Sequence, residues 1–172
     1  MTSGTADLVV GDWLARRAGR LRAVDVDFID LEAARLPDHG MAAWPAEGAQ
    51  PSAVHDLAPW LTDADGFVVV LPGSTHGVPR PVRNALDWCT SAWAGKPVAL
   101  VRHGHAAHDA LAAHEVRSAF RDREASVVGA VNVCGPQAEC AEHRLADQDI
   151  SADRLLGDVV AGARRTVAAS VL

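Results

Sequence analysis

Lysine is almost missing from this chain of 172 residues: Lys96 is the single one. Acidic residues outnumber Lys and Arg by 22 to 16, which leaves a net charge of −6. That balance, with no Lys/Arg run anywhere, argues against a nucleic-acid surface. Cysteine is scarce too. Cys89, Cys134 and Cys140 are odd in number and show no metal-ligand spacing, which suggests a reducing cytoplasm and no metal site. No apolar stretch is long enough to span a bilayer, and the chain does not open with a signal-peptide pattern. The expectation is a cytoplasmic protein with no membrane association and no nucleic-acid partner. Scarce lysine beside abundant alanine, arginine and aspartate reads as a GC-rich bacterial coding bias, not as a physical signal.

What is present suits a globular protein. The hydrophobic share is 49% and the charged share 22%, both ordinary values. The length fits one domain, residues 1–172, with room for a real core. No repeat, linker or second domain is visible.

The chain is organised around residues 66–101. Phe67 to Leu71 is an apolar run between Gly66 and Pro72, the pattern of a strand buried on both faces. Residues 72–77 are a turn-rich loop. Pro79 and Pro81 suit the first turn of a helix. Val82, Ala85, Leu86 and Cys89 then recur at helical spacing. Lys96-Pro97 ends the connection, and Val98 to Val101 reads as a second buried strand. A strand–loop–helix–strand unit implies a parallel sheet. Ligands of such sheets bind outside the carboxyl ends of the strands, where residues 72–77 fall.

Elsewhere, residues 5–19 read as an amphipathic helix with Leu8, Val9, Trp13, Leu14 and Ala18 on one face. Residues 24–31 alternate apolar and acidic, as a half-exposed edge strand would. Residues 36–51 read as a long irregular loop, and a helix is expected over 52–63, where Pro59 is a possible break. A further helix runs to Arg121, with Leu111, Val116 and Phe120 as its apolar positions. Residues 126–133 form the last strand, and 151–169 a closing helix capped by Ser151.

Histidines gather near the expected strand ends. Arg102-His103-Gly104-His105 follows the second strand, His76 lies in the loop of the first, and His108 is close by. Imidazole titrates near neutral pH and serves as acid, base or metal ligand. Together they point to a polar catalytic or metal-binding pocket, with His76, His103 and His105 as the candidate catalytic residues and no carboxylate or cysteine completing a zinc pattern. Taken singly, each is equally an exposed loop histidine without a task.

The helix keeps Asn84, Ala85, Leu86, Asp87 and Trp88, followed by Trp93, Gly95, Lys96, Pro97 and Val98; the loop keeps Pro72 and Gly77. In these residues the chain resembles the NADPH-dependent FMN reductase family, and the resemblance covers nearly everything after Thr5. It implies a flavodoxin-like three-layer α/β/α sandwich with a parallel sheet of four or five strands. It also implies FMN as cofactor, NADPH as co-substrate, a small-molecule substrate, and a homodimer built through residues 79–93. The flavin ring would lie against Pro72, Gly73, Ser74, Thr75, His76, Gly77, His103 and Gly104, with His105 beside it. Gly73, Ser74 and Thr75 stand where the family carries Glu, Tyr and Asn. Ser3, Gly4 and Thr5 would be what remains of the phosphate loop, because Met1 falls inside that loop and the first strand is not among these residues. The function implied is an FMN-dependent NAD(P)H oxidoreductase. The alternatives are a flavodoxin-like protein that has lost FMN and works as a cofactor-free acid–base enzyme in a biosynthetic pathway, or a non-catalytic partner subunit.

Overall fold

The structure, a computed structural model, describes residues 3–38, 50–72, 77–104, 110–133 and 145–170. Its elements are α1 (Ser3–Ala18), α2 (Ser52–Asp63), β1 (Phe67–Pro72), α3 (Arg80–Trp88), α4 (Thr90–Trp93), β2 (Pro97–His103), α5 (Ala110–Arg121), β3 (Ser126–Val133) and α6 (Asp149–Ser170). The strands form a parallel sheet in the order β1-β2-β3.

The strands are apolar on both faces because both faces are covered. Leu71, Val98 and Leu100 pack with α2, α3, α4 and α5 into one core. Ala99, Val101 and Val133 face the other way and pack with Val10, Trp13 and Leu14 of α1 and Ala152, Leu155 and Val159 of α6. Successive side chains of a strand point to opposite faces, so one apolar run feeds two cores. β2 is buried over its whole length. Val98 pairs with Val127 and Ala99 with Gly129, so Val128 is left over as a bulge. On the helix-rich side, the Trp93 ring lies 4.4 Å from that of Phe67 and 5.5 Å from that of Phe120. The three-layer α/β/α sandwich read from the sequence is therefore the fold.

The strand count is lower than expected, and the segment 24–31 is the reason. It has no ladder partner among the described residues; it runs without regular structure into turns at 31–35. In the flavodoxin-like order 2-1-3-4-5, a second strand pairs with the first and not with the third. Among the described residues no strand lies beside segment 24–31. It is held by packing instead. The Phe28 ring lies so close to Gly11 that a Cβ there would meet it at 2.4 Å, while Ile29 and Leu31 lean on the larger core.

Smaller differences have local causes. Pro59 lies inside α2 without ending it. Leu8 and Leu111 point outward, at 46% and 68% exposure; Val10 and Ala112 take the inward positions. Ser151 does not cap α6, which begins at Asp149. Trp13 donates to the Asp149 carboxylate at 3.1 Å and Arg17 pairs with Asp149 and Asp153, so α1 anchors the first turn of α6. Arg17 stays protonated to higher pH than usual, chiefly through its hydrogen bond to Asp153. Among the described residues, no helix is long and apolar enough to cross a membrane.

Candidate functional site

The carboxyl ends of the strands stand side by side. Pro72 is level with His103, and His103 with Val133. At this end β2 turns from aliphatic to polar: Arg102 and His103 are each only 5% exposed. Burying an imidazole is costly unless its polar atoms are satisfied. Here Nε2 of His103 is in hydrogen-bonding contact with the Asp7 carboxylate of α1. Asp7 itself remains partly open to solvent.

That contact brings the beginning of α1 to the strand ends. Ser3, Gly4 and Thr5 form its first turn, whose amides have no acceptor within the helix. Free amides and the helix dipole together favour an anion at such a terminus. Gly104 follows His103 directly with a φ of +90°, and Gly77, on the approach to α3, has a φ of +76°. At Gly77 a Cβ would meet only the mobile end of the Glu115 side chain, at 2.8 Å, so it is the left-handed backbone angle that calls for glycine there.

Several sequence-predicted residues are thus placed. Pro72, His103 and Gly104 share the strand ends, and Gly77 enters the connection to α3. Ser3, Gly4 and Thr5 belong to a helical turn and not to a loop. Gly73, Ser74, Thr75, His76, His105 and His108 lie outside the described residues. Among the described residues, no three His, Cys, Asp or Glu side chains come together as a metal site would require. A cleft of about 600 Å³ between segment 27–34 and α2, bordered by Phe28 and Trp60, contains none of the predicted residues.

Asp7 was not legible. It lies 96 residues from His103, and only the packing of α1 on the sheet brings the two together. The Asn-Ala-Leu-Asp-Trp run of α3 turns out to hold the scaffold. Asn84 donates to the Leu36 carbonyl at 3.0 Å and to the Asp38 carboxylate at 3.1 Å. Trp88 donates to the Pro37 carbonyl at 2.8 Å. Arg80 pairs with Asp38 and Arg123 with Asp87. The Arg80 hydrogen bond, with that of Asn84 behind it, holds the Asp38 carboxyl below the usual carboxylate range. Residues 36–38 are therefore tied down by three side chains of one short helix, Arg80, Asn84 and Trp88.

Comparison with known proteins agrees with this geometry. The family described as NADPH-dependent FMN reductase matches residues 5–139. The rice (Oryza sativa subsp. japonica) protein named "Probable NADPH:quinone oxidoreductase 1" is 32% identical over 82 residues, covering 46% of this chain and 41% of the rice protein. An NAD(P)H-dependent FMN reductase of Schizosaccharomyces pombe is 29% identical over 98 residues, covering 55% of this chain and 49% of the yeast protein. The chain thus spans under half the length of these curated relatives. Among solved structures, the flavoenzyme NAD(P)H:(acceptor) oxidoreductase FerB of Paracoccus denitrificans superposes with a TM-score of 0.64 at 20% identity, covering 94% of this chain and 93% of FerB. An oxidoreductase of Corynebacterium diphtheriae superposes with a TM-score of 0.65 at 18% identity, covering 91% and 86% of the two chains. At these identities the structural likeness speaks for the flavodoxin-like fold.

Proposed function

Because the chain belongs to the NADPH-dependent FMN reductase family, we propose that it is an FMN-dependent NAD(P)H oxidoreductase acting on a small-molecule acceptor. The observation that carries this reading is the meeting of the α1 N-terminus with the carboxyl end of β2 through Asp7 and His103. An anion site and a buried proton-handling group stand at the edge where sheets of this kind bind ligands.

The residues fit the cofactor. The first turn of α1, at Ser3, Gly4 and Thr5, offers free amides to a phosphate. Gly104, which has no Cβ, leaves room for a flat ring system beside the backbone. Pro72, Gly73, Ser74, Thr75, His76, Gly77 and His105 complete the ring side of the site in this reading. FMN, when bound, supplies hydride transfer between NAD(P)H and the acceptor. The chain's own tasks are to bind the phosphate, orient the ring and manage the proton that accompanies the hydride. His103 is the group for that proton, with His76 and His105 as further candidates.

We also propose a cytoplasmic homodimer assembled around residues 79–93. Support comes from the low cysteine count and from the resemblance of α3 to the family's helix. Trp88 and Asp87 are engaged within the chain. The contact would therefore use the exposed Arg80, Arg83, Thr90 and Ser91.

The test of the activity is steady-state NADPH oxidation with FMN and a soluble quinone. Turnover that requires all three components supports the reading. Absence of turnover with NADPH and with NADH, across a panel of quinones and free flavins, would overturn it.

A further inference from the structure

His103 is nearly inaccessible, yet it is not an inert core residue. It ends the central strand, beside a glycine at φ +90°. Its only partner among the described residues is Asp7, through Nε2. Which imidazole nitrogen carries the proton follows from the hydrogen bond the other atoms impose. A carboxylate accepts and does not donate, so Nε2 must bear the hydrogen in this contact. The neutral ring then keeps one lone pair, at Nδ1, which has no partner among the described residues.

We infer that Asp7 is a positioning residue for His103: its carboxylate fixes the ring as the Nε2–H tautomer and reserves Nδ1 for proton exchange with the acceptor. The inference rests on the reading of this edge as an oxidoreductase site. Two-electron reduction of a quinone adds one hydride, which FMN would supply when bound, and one proton at oxygen. In this account the proton comes from Nδ1 of the imidazolium, the N–H bond breaks as the O–H bond forms, and neutral His103 takes a proton back from water. Asp7 exchanges no proton in this step. It holds the ring plane and stabilises the imidazolium before transfer, as an orienting carboxylate does in other histidine-based sites. Its place one turn into α1 also couples the ring to the helix whose first turn would hold the phosphate.

The experiment compares the full chain with Asp7→Asn, Asp7→Ala and His103→Gln. Long-range 1H–15N spectra of the imidazoles, with His103→Gln as the assignment, read the tautomer without any cofactor or turnover. In spectra taken at a pH where the ring is neutral, the wild-type His103 should show a single Nε2–H form with a pyridine-like Nδ1. Both Asp7 variants should show a mixture of tautomers. In the quinone assay, kcat should fall about tenfold to a hundredfold with little change in KM, and Asp7→Ala/His103→Gln should be no slower than His103→Gln alone. Asp7→Asn keeps the side-chain volume and carries the test should the alanine variant fail to fold. An unchanged tautomer in Asp7→Asn overturns the inference, and so does an altered tautomer with kcat intact. Failure of the wild type to turn over any acceptor would instead remove the oxidoreductase reading, while the spectra still decide whether Asp7 sets the ring.

Discussion

The side-chain amide of Asn84 donates to the main-chain carbonyl of Leu36 across 48 residues of sequence, at 3.0 Å and out of solvent. This bond explains why an asparagine sits on a helix face otherwise given to Val82, Ala85 and Leu86. Without it, a buried carbonyl would have to be satisfied by a helix that has nothing else to offer. Asn84→Ala should therefore cost about 1–3 kcal/mol of stability, read as a lower urea midpoint at unchanged m-value. Trp88→Phe, which removes the indole N–H that donates to Pro37 together with part of the ring packed on the core, should cost at least about 1 kcal/mol.

The sole lysine is a helix clamp. Nζ of Lys96 donates to the carbonyls of Leu61 at 2.9 Å and Thr62 at 2.6 Å, the exposed acceptors at the end of α2. It also stands 5.6 Å from the centre of the Phe67 ring. Partial burial lowers its affinity for a proton, against the raising effect of Asp65 and Asp63. Lys96→Met keeps the stem and loses the donors. The expected cost is about 1–3 kcal/mol, and hydrogen exchange should rise first in the last turn of α2.

Acid should loosen the molecule at two of its carboxylate pairings. Asp38 is held below its ordinary value of 3.8 chiefly by the hydrogen bond from Arg80, and Asp153 below the same value chiefly by that from Arg17. A carboxyl whose folded pKa is depressed contributes stability above its unfolded value and loses it as pH falls through the folded value. Their contribution is thus complete above about pH 3.8 and disappears below. Asp38→Asn and Asp153→Asn should flatten the acid limb of a melting-temperature profile and leave its slope near neutral pH unchanged. An acid limb identical to wild type in both variants would rule these pairs out.

The sheet and its helices were legible because β1, β2 and β3 are short apolar runs between turn residues, and because Val82, Ala85, Leu86 and Cys89 keep helical spacing. A local pattern specifies a local element. Segment 24–31 shows the limit: its alternation is that of a strand, yet alternation does not supply a neighbour, and among the described residues it has none. Position at a strand end marked His103 and Gly104. Asp7 escaped, since a carboxylate on an exposed helix face looks the same whether or not its partner lies 96 residues away. The run from Asn84 to Trp88 pointed to a family, but its sequence did not say that these side chains hold residues 36–38 in place.

The most direct test of the central claim is a titration of the purified chain with FMN, followed by flavin fluorescence and the visible spectrum. The account predicts saturable binding at one FMN per chain, with a shifted flavin band that bleaches on addition of NADPH without oxygen. A linear, unquenched fluorescence increase with the spectrum of free FMN would contradict it, and would leave the flavodoxin-like fold without the chemistry of its family.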